Sequence, residues 1–247
     1  MVGCCEEERG TTMLLAAVML GLQLQALSPE TQEIIAPVSM AIEEVRARHA
    51  VLGTALDDRA RLERMGELDQ AGRQAITRLD FSRIPDTERM AAVRAAGAVI
   101  EAVDQENQQA LLAMTPPEGW FLKSRYGDKA SAAAFHIIQH SDEGLWRRFL
   151  PVLEPLVATG EIDGQSYAMM FDRLATSEGR PQRYGTQFRC DNGKWRPYPI
   201  ESVEDLEARR EEMAFPVPFA DYRAHFESQP QCPQTLSPPP PGMVVDD

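Results

Sequence analysis

Apolar positions recur at helical spacing along most of the chain and turn to strict alternation only near residue 184. Ser28-Pro29-Glu30 predicts a helix start, with a capping serine, a proline in the first turn and an acid beside the positive helix end. Pro37 is expected to interrupt that helix, because it lacks the N–H and crowds the preceding turn. From Val38 a single stripe runs through Ile42, Val45, His49, Leu52 and Leu56, with His49 read as a core or boundary residue. After a bend expected near Gly66 the pattern continues as Leu62, Met65, Asp69, Arg73 and Ile76. Asp86 is the expected cap of a further helix, whose inward line is Met90, Val93, Gly97, Ile100, Asp104, Asn107 and Leu111 and which Pro116-Pro117 ends.

Shorter periodic segments follow. Asp128 is expected to cap a helix reaching His140, with Ala130, Ala133, Ile137 and His140 on one side. Ser141 and Asp142 cap another, in which Leu145, Phe149, Val152 and Leu156 face inward, Pro151 and Pro155 bend the axis and Gly160 closes it. A helix over about Gln165 to Thr176 comes next. Alternating runs then flank Asp191-Asn192-Gly193, and Asn-Gly between such runs predicts a hairpin because both turn residues must reach positive φ. A last helix starts at Ser202, with Asp205 placed for a capping box. The reading is mainly α: a single helical domain over residues 28–227 with one C-terminal β-hairpin.

The two ends differ from this middle. Met13 to Leu27 is an apolar run of the length of a signal h-region, with Ala26-Leu27-Ser28 as a small-residue cleavage box. Glu6, Glu7 and Glu8 outweigh Arg9 ahead of it, which fits a signal better if translation starts at Met13. Residues 1–27 are therefore read as a signal or as an apolar segment packed on the domain. The corresponding localisation is periplasmic or secreted, otherwise cytoplasmic. Residues 228–247 hold six of the eighteen prolines and read as a disordered Pro-rich tail. Cys190 and Cys232 can pair in an oxidising compartment, but four cysteines in 247 residues make no disulfide framework.

Charge narrows the partners. A formal net charge of −13 excludes a nucleic-acid backbone as the main partner. No apolar run reaches the length of a stable membrane span. The sequence assigns no oligomeric state.

The candidate chemistry comes from polar residues on faces that should be core. Asp69 and Arg73 share the line of Leu62, Met65 and Ile76, and Asp104 and Asn107 share that of Val93, Ile100 and Leu111. His140 ends the line of Ala133 and Ile137, and Asp172, followed by Arg173, shares a face with Ala168 and Ala175. Unpaired charges are costly to bury, so such groups either pair with one another or serve a site. Asp69-Gln70…Arg73, Val103-Asp104…Asn107, Gly119-Trp120…Ser124…Gly127, Gln139-His140, Asp172-Arg173 and Gln182…Tyr184-Gly185-Thr186-Gln187 form a series. It resembles an uncharacterised bacterial domain family marked by a QH, DR and Q-x-YGTQ succession, over about Asp69 to Phe226. Phe121 stands where that pattern leads one to expect a proline. The resemblance implies a fold unit and supplies no reaction.

His140 is the candidate acid–base residue, with Asp172, Asp104 or Asp69 to orient it. Arg73 and Arg173 are candidate clamps for an anion. Asp69, Asn107, Trp120, Gln182, Tyr184, Thr186 and Gln187 complete the candidate ligand-binding set. The His136–His140 spacing suits a metal on a helix face, but the glutamate of H-E-x-x-H is missing, so no metal is assigned. No nucleotide motif is present and the cofactor is left open. Two functions fit. One is a pocket for a small anionic or peptide ligand, with His140 in hydrolase or transferase chemistry. The other is a non-enzymatic periplasmic binding or scaffold domain whose Asp–Arg–His network is structural. They differ in whether these residues stand beside a cleft or are sealed and mutually satisfied.

Overall fold

The computed structural model describes residues 27–55, 57–229 and 232. Helices dominate, and the strands among the described residues form one antiparallel hairpin. Contacts group the chain into two compact units, one containing residues up to Met114 together with Asp128–Ile137, the other Thr115–Gly127 together with residues from Ile138 on.

The first unit is built on α1 (Pro29–Leu52), α2 (Asp58–Ile76) and α3 (Asp86–Met114), which pack pairwise against one another. Ser28 caps α1, its hydroxyl accepting from the Thr31 N–H. Pro37 does not interrupt this helix, which is continuous for 24 residues. Thr31, Ile35, Val38, Ile42 and Val45 make one buried stripe on both sides of the proline, and that shared burial offsets the lost backbone bond. The stripe stops sooner than its pattern suggests: α1 ends at Leu52, which is 63% exposed, and Leu56 lies outside the described residues. Gly66 introduces no break in α2. It is where the segment Asp128–Ile137 comes close, since a Cβ there would lie 2.6 Å from the Ala133 Cβ. Asp86 is the first residue of α3 and not its cap, because the Pro85 carbonyl already accepts from the Glu88 and Arg89 N–H groups.

Leu27 is buried in the core with Ile35, Val38, Ala75, Ile84, Ala92, Ala95 and Ala96. The folded unit therefore includes at least one residue ahead of Ser28. Ser28 itself is held from α3: its N–H and hydroxyl both donate to Glu88 Oε2, at 3.1 and 2.9 Å.

A short α4 (Lys123–Tyr126) and then α5 (Asp128–Gln139) follow. Asp128 is the first residue of α5, not its cap. In the second unit α6 (Glu143–Ala158) packs on α7 (Gly164–Ser177). Asp142 and Asp163 cap them through the N–H groups of Leu145 and Ser166. Pro151 and Pro155 are both accommodated within α6. Trp120 is fully buried, meeting Phe149 edge-on at 5.6 Å and Phe121 at 6.2 Å. The hairpin pairs β1 (Phe188–Asp191) with β2 (Lys194–Pro197), placing Cys190 opposite Trp195. Asn192 and Gly193 turn it at φ 49° and 77°, as the Asn-Gly signal requires. A 3-10 turn (Val203–Asp205) leads into α8 (Leu206–Glu212), and α9 (Phe219–Glu227) lies against β2 and α8.

Candidate functional site

In the first unit, α2 and α3 bring together four of the expected residues. The Arg73 fork donates to both Asp104 oxygens at 2.8 Å, Nη1 to Oδ1 and Nη2 to Oδ2. Nη1 also donates to the Asp69 carbonyl at 3.0 Å and lies 3.3 Å from Asp69 Oδ1. The Asp69 carboxylate is buried and accepts from Gln70 Nε2 at 2.7 Å. Asn107, also buried, donates to the Met65 carbonyl at 3.1 Å, tying α3 to the middle of α2. Arg73 is thus neutralised by a bidentate carboxylate, the strongest pairing geometry a guanidinium has.

In the second unit Asp172 is the centre of a loop. Fully buried on α7, its carboxylate accepts from the N–H groups of Arg183, Tyr184 and Thr186 at 2.7 to 3.1 Å, and from the Thr186 hydroxyl at 2.9 Å. Burial pushes its pKa above the usual aspartate range, and these donors pull against that shift. Gln182 closes the same loop. Its Nε2 donates to the Gln187 and Tyr198 carbonyls and its Oε1 accepts from the Gln187 N–H. Gln187 Nε2 donates to Thr186 Oγ1 at 3.1 Å. Tyr184 is buried, which raises the pKa of its phenol, and its carbonyl accepts from Arg210 Nη1 at 2.9 Å. Gly185 sits at φ 70°, and a Cβ there would come within 2.8 Å of the Phe219 ring. The Q-x-YGTQ stretch is therefore a closed turn folded around one aspartate, its polar groups spent on that carboxylate, on one another and on adjoining segments.

Arg173, the next residue, contrasts with Asp172. It is half-buried, with its guanidinium 5.8 Å from the centre of the Trp146 ring. That guanidinium makes no hydrogen bond and no ion pair among the described residues. Desolvation lowers its pKa, and no carboxylate among the described residues compensates. Trp146 is fixed by its own Nε1, which donates to the Ile138 carbonyl at 2.9 Å. His140 lies two residues beyond that carbonyl, half-buried, just past the end of α5 at Gln139. Among the described residues no group of three or more His, Cys, Asp or Glu side chains is arranged to hold a metal ion.

Two features escaped the pattern reading. Arg210 is buried, with its guanidinium 4.1 Å from the Phe215 ring centre and 5.2 Å from that of Tyr222. It shares a helical face with buried Leu206 four residues earlier, a signal that was present in the sequence. Glu67 is the other. Its Oε2 lies 3.0 Å from His49 Nε2 and accepts from Arg48, while Oε1 accepts from Lys129 at 3.1 Å. His49 first, and then the two cations, hold its pKa down at about 2. Arg48, Glu67 and Lys129 line a cleft of about 420 Å³ in the first unit, together with Val45, Gly66, Ala71 and Ala133.

A model of a family of unknown function, DUF6624, matches residues 56–229. No curated protein and no solved structure matches the chain.

Proposed function

Since the chain belongs to the DUF6624 family, whose function is unknown, we propose from the geometry that its second unit binds a small anion through Arg173. The observation that carries this reading is the guanidinium itself: half-buried, desolvated, and without a hydrogen bond or ion pair among the described residues. A half-buried cation in that state is stabilised by an anion that meets its fork. A carboxylate or phosphate group matches its fork with two parallel bonds, and the terminal carboxylate of a peptide is as good a match as a small metabolite. Arg73 is not the clamp in this reading, because Asp104 already occupies its fork. His140 is the proposed acid–base residue, carried on the turn that Trp146 ties to the environment of Arg173.

The saturated carboxylate of Asp172 supports a second reading, a non-enzymatic binding or scaffold domain in which the motif residues shape the fold. The Cys190–Cys232 disulfide supports export to an oxidising compartment under either reading.

The test is a calorimetric and NMR titration with inorganic phosphate and with a small dicarboxylate. The wild type should bind at least one of them, Arg173→Met should weaken binding at least tenfold, and His140→Gln should bind within a fewfold of wild type. Unchanged binding in Arg173→Met, or no binding by the wild type, rejects the anion site in favour of the scaffold.

A further inference from the structure

We infer that the Cys190–Cys232 disulfide is a redox-reactive site, a reducible latch that holds α9 across the Tyr184–Gln187 loop. Cys190 lies in the middle of β1 and Cys232 five residues beyond the end of α9, with their Cα atoms 5.6 Å apart. The bond therefore fastens the far end of α9 to the hairpin.

Without that bond, α9 is held lightly. It has no fully buried residue. Its side chains reach the hairpin through rings: Phe226 stacks on Phe188 at 4.2 Å with the planes 8° apart, and meets Trp195 edge-on at 6.3 Å. At its start, the Phe219 N–H donates to Glu207 Oε1 at 2.8 Å and the Phe219 ring covers Gly185. Phe219 and Tyr222 also lie on the Arg210 guanidinium, the group that donates to the Tyr184 carbonyl. The same nine-residue helix thus covers the loop at one end and is covalently latched at the other.

The two cysteines differ in exposure. Cys190 is half-buried and Cys232 is 5% exposed, so an incoming thiolate reaches Cys190 first. The reductant is a dithiol. One of its thiolates attacks Cys190 Sγ, the Sγ–Sγ bond breaks, and Cys232 leaves as a thiolate that takes up a proton. The second thiol of the reductant, as thiolate, attacks the mixed disulfide, forms the reductant's own disulfide and releases Cys190, which is protonated in turn. One protein disulfide and one dithiol give one protein dithiol and one disulfide, with two electrons transferred. Reduction leaves α9 on its ring contacts, the Phe219–Glu207 hydrogen bond and the Arg210 contacts, and so loosens its cover over the loop.

The test is hydrogen exchange by mass spectrometry on the full chain carrying Cys4→Ser and Cys5→Ser, so that only the latch titrates. The oxidised protein is compared with the same protein in dithiothreitol and with a Cys232→Ser version. The expected result is at least tenfold faster exchange in peptides covering residues 219–229 and 183–187 after reduction, with α1, α2 and α3 unchanged. Reoxidation should restore the slow pattern. Reduction in situ keeps the test decisive if Cys232→Ser fails to fold. Equal protection in both states overturns the latch, and so does loss of protection throughout the chain, which would make the bond a staple of the whole fold. Two free thiols in protein prepared without reductant would also overturn it.

Discussion

Asp172 and Arg173 are neighbours on α7, and their removal should have opposite consequences. Asp172→Ala takes away the acceptor of three backbone N–H groups and one hydroxyl, all in a buried loop. A buried donor left without a partner costs about 1–3 kcal/mol. The Thr186 hydroxyl can rotate to another acceptor and the loop can admit water, so the four losses do not add in full. A net destabilisation of about 3–5 kcal/mol is expected, a large part of the stability of a typical domain. Arg173→Met removes a guanidinium that has no hydrogen bond or ion pair to lose among the described residues, and keeps an unbranched stem to lie on Trp146. It also abolishes an uncompensated desolvation, so stability should stay within about 1 kcal/mol of wild type or rise. Urea unfolding followed by far-ultraviolet circular dichroism measures both, provided that the m-values agree. A loss above about 2 kcal/mol in Arg173→Met would show that the guanidinium holds the fold, and the argument for a ligand at that residue would fall. A loss below about 1 kcal/mol in Asp172→Ala would equally refute the account of the loop.

Three further outcomes follow from the same geometry. Gly185→Ala should cost about 2–3 kcal/mol, because it meets both a left-handed backbone at φ 70° and the Phe219 ring; adding Phe219→Ala should recover only the steric part in thermal denaturation. Gly66→Ala gains about 1 kcal/mol of helix propensity but drives a Cβ to 2.6 Å from that of Ala133, so the net should be about 1–2 kcal/mol unfavourable; Ala133→Gly in the same chain should remove the penalty, and no rescue would count against the close approach. Glu67 has a folded pKa near 2 against the usual 4.5, so its contribution is complete above about pH 4.5 and is lost as pH falls toward 2. Its partial exposure limits that contribution to about 1 kcal/mol, and Glu67→Gln should flatten this limb of the stability–pH curve; an identical limb in the variant would contradict the assignment.

Much of the fold was legible because its signals are local. Ser28, Asp142 and Asn192-Gly193 each fix a boundary through bonds that span only a few residues. Pro37 and Gly66 misled for a shared reason: each weakens a helix locally, and burial against other segments restores it at a distance that the pattern does not encode. The candidate residues were legible as polar groups on inward faces, and not in their division of labour. Asp69, Arg73, Asp104 and Asn107 do gather on two helices, as their inward positions imply. What spacing could not reveal is that Gln182, Thr186 and Gln187 spend their hydrogen bonds on the loop, on Asp172 and on neighbouring carbonyls, while Arg173 is left with none among the described residues. That depends on which backbone donors a buried carboxylate meets 11 to 14 residues downstream. Arg210 reads as solvated because it is a basic residue in a charged stretch, although its position four residues after Leu206 puts it on the buried face.

The first unit is discontinuous in the chain, since Asp128–Ile137 returns to it after residues 115–127 have gone to the second. During synthesis, α1, α2 and α3 emerge before the segment that packs Ala133 against Gly66 and brings Lys129 to Glu67. At about 5–20 residues per second, the ribosome takes roughly 1–5 s to add residues 115–137. For that interval the nascent three-helix intermediate presents a bare seam along Gly66 and Ala71. A truncation after Met114 makes the same state permanent, so such a fragment should be a client for chaperones and should recover its packing when the residue 128–137 peptide is supplied in trans.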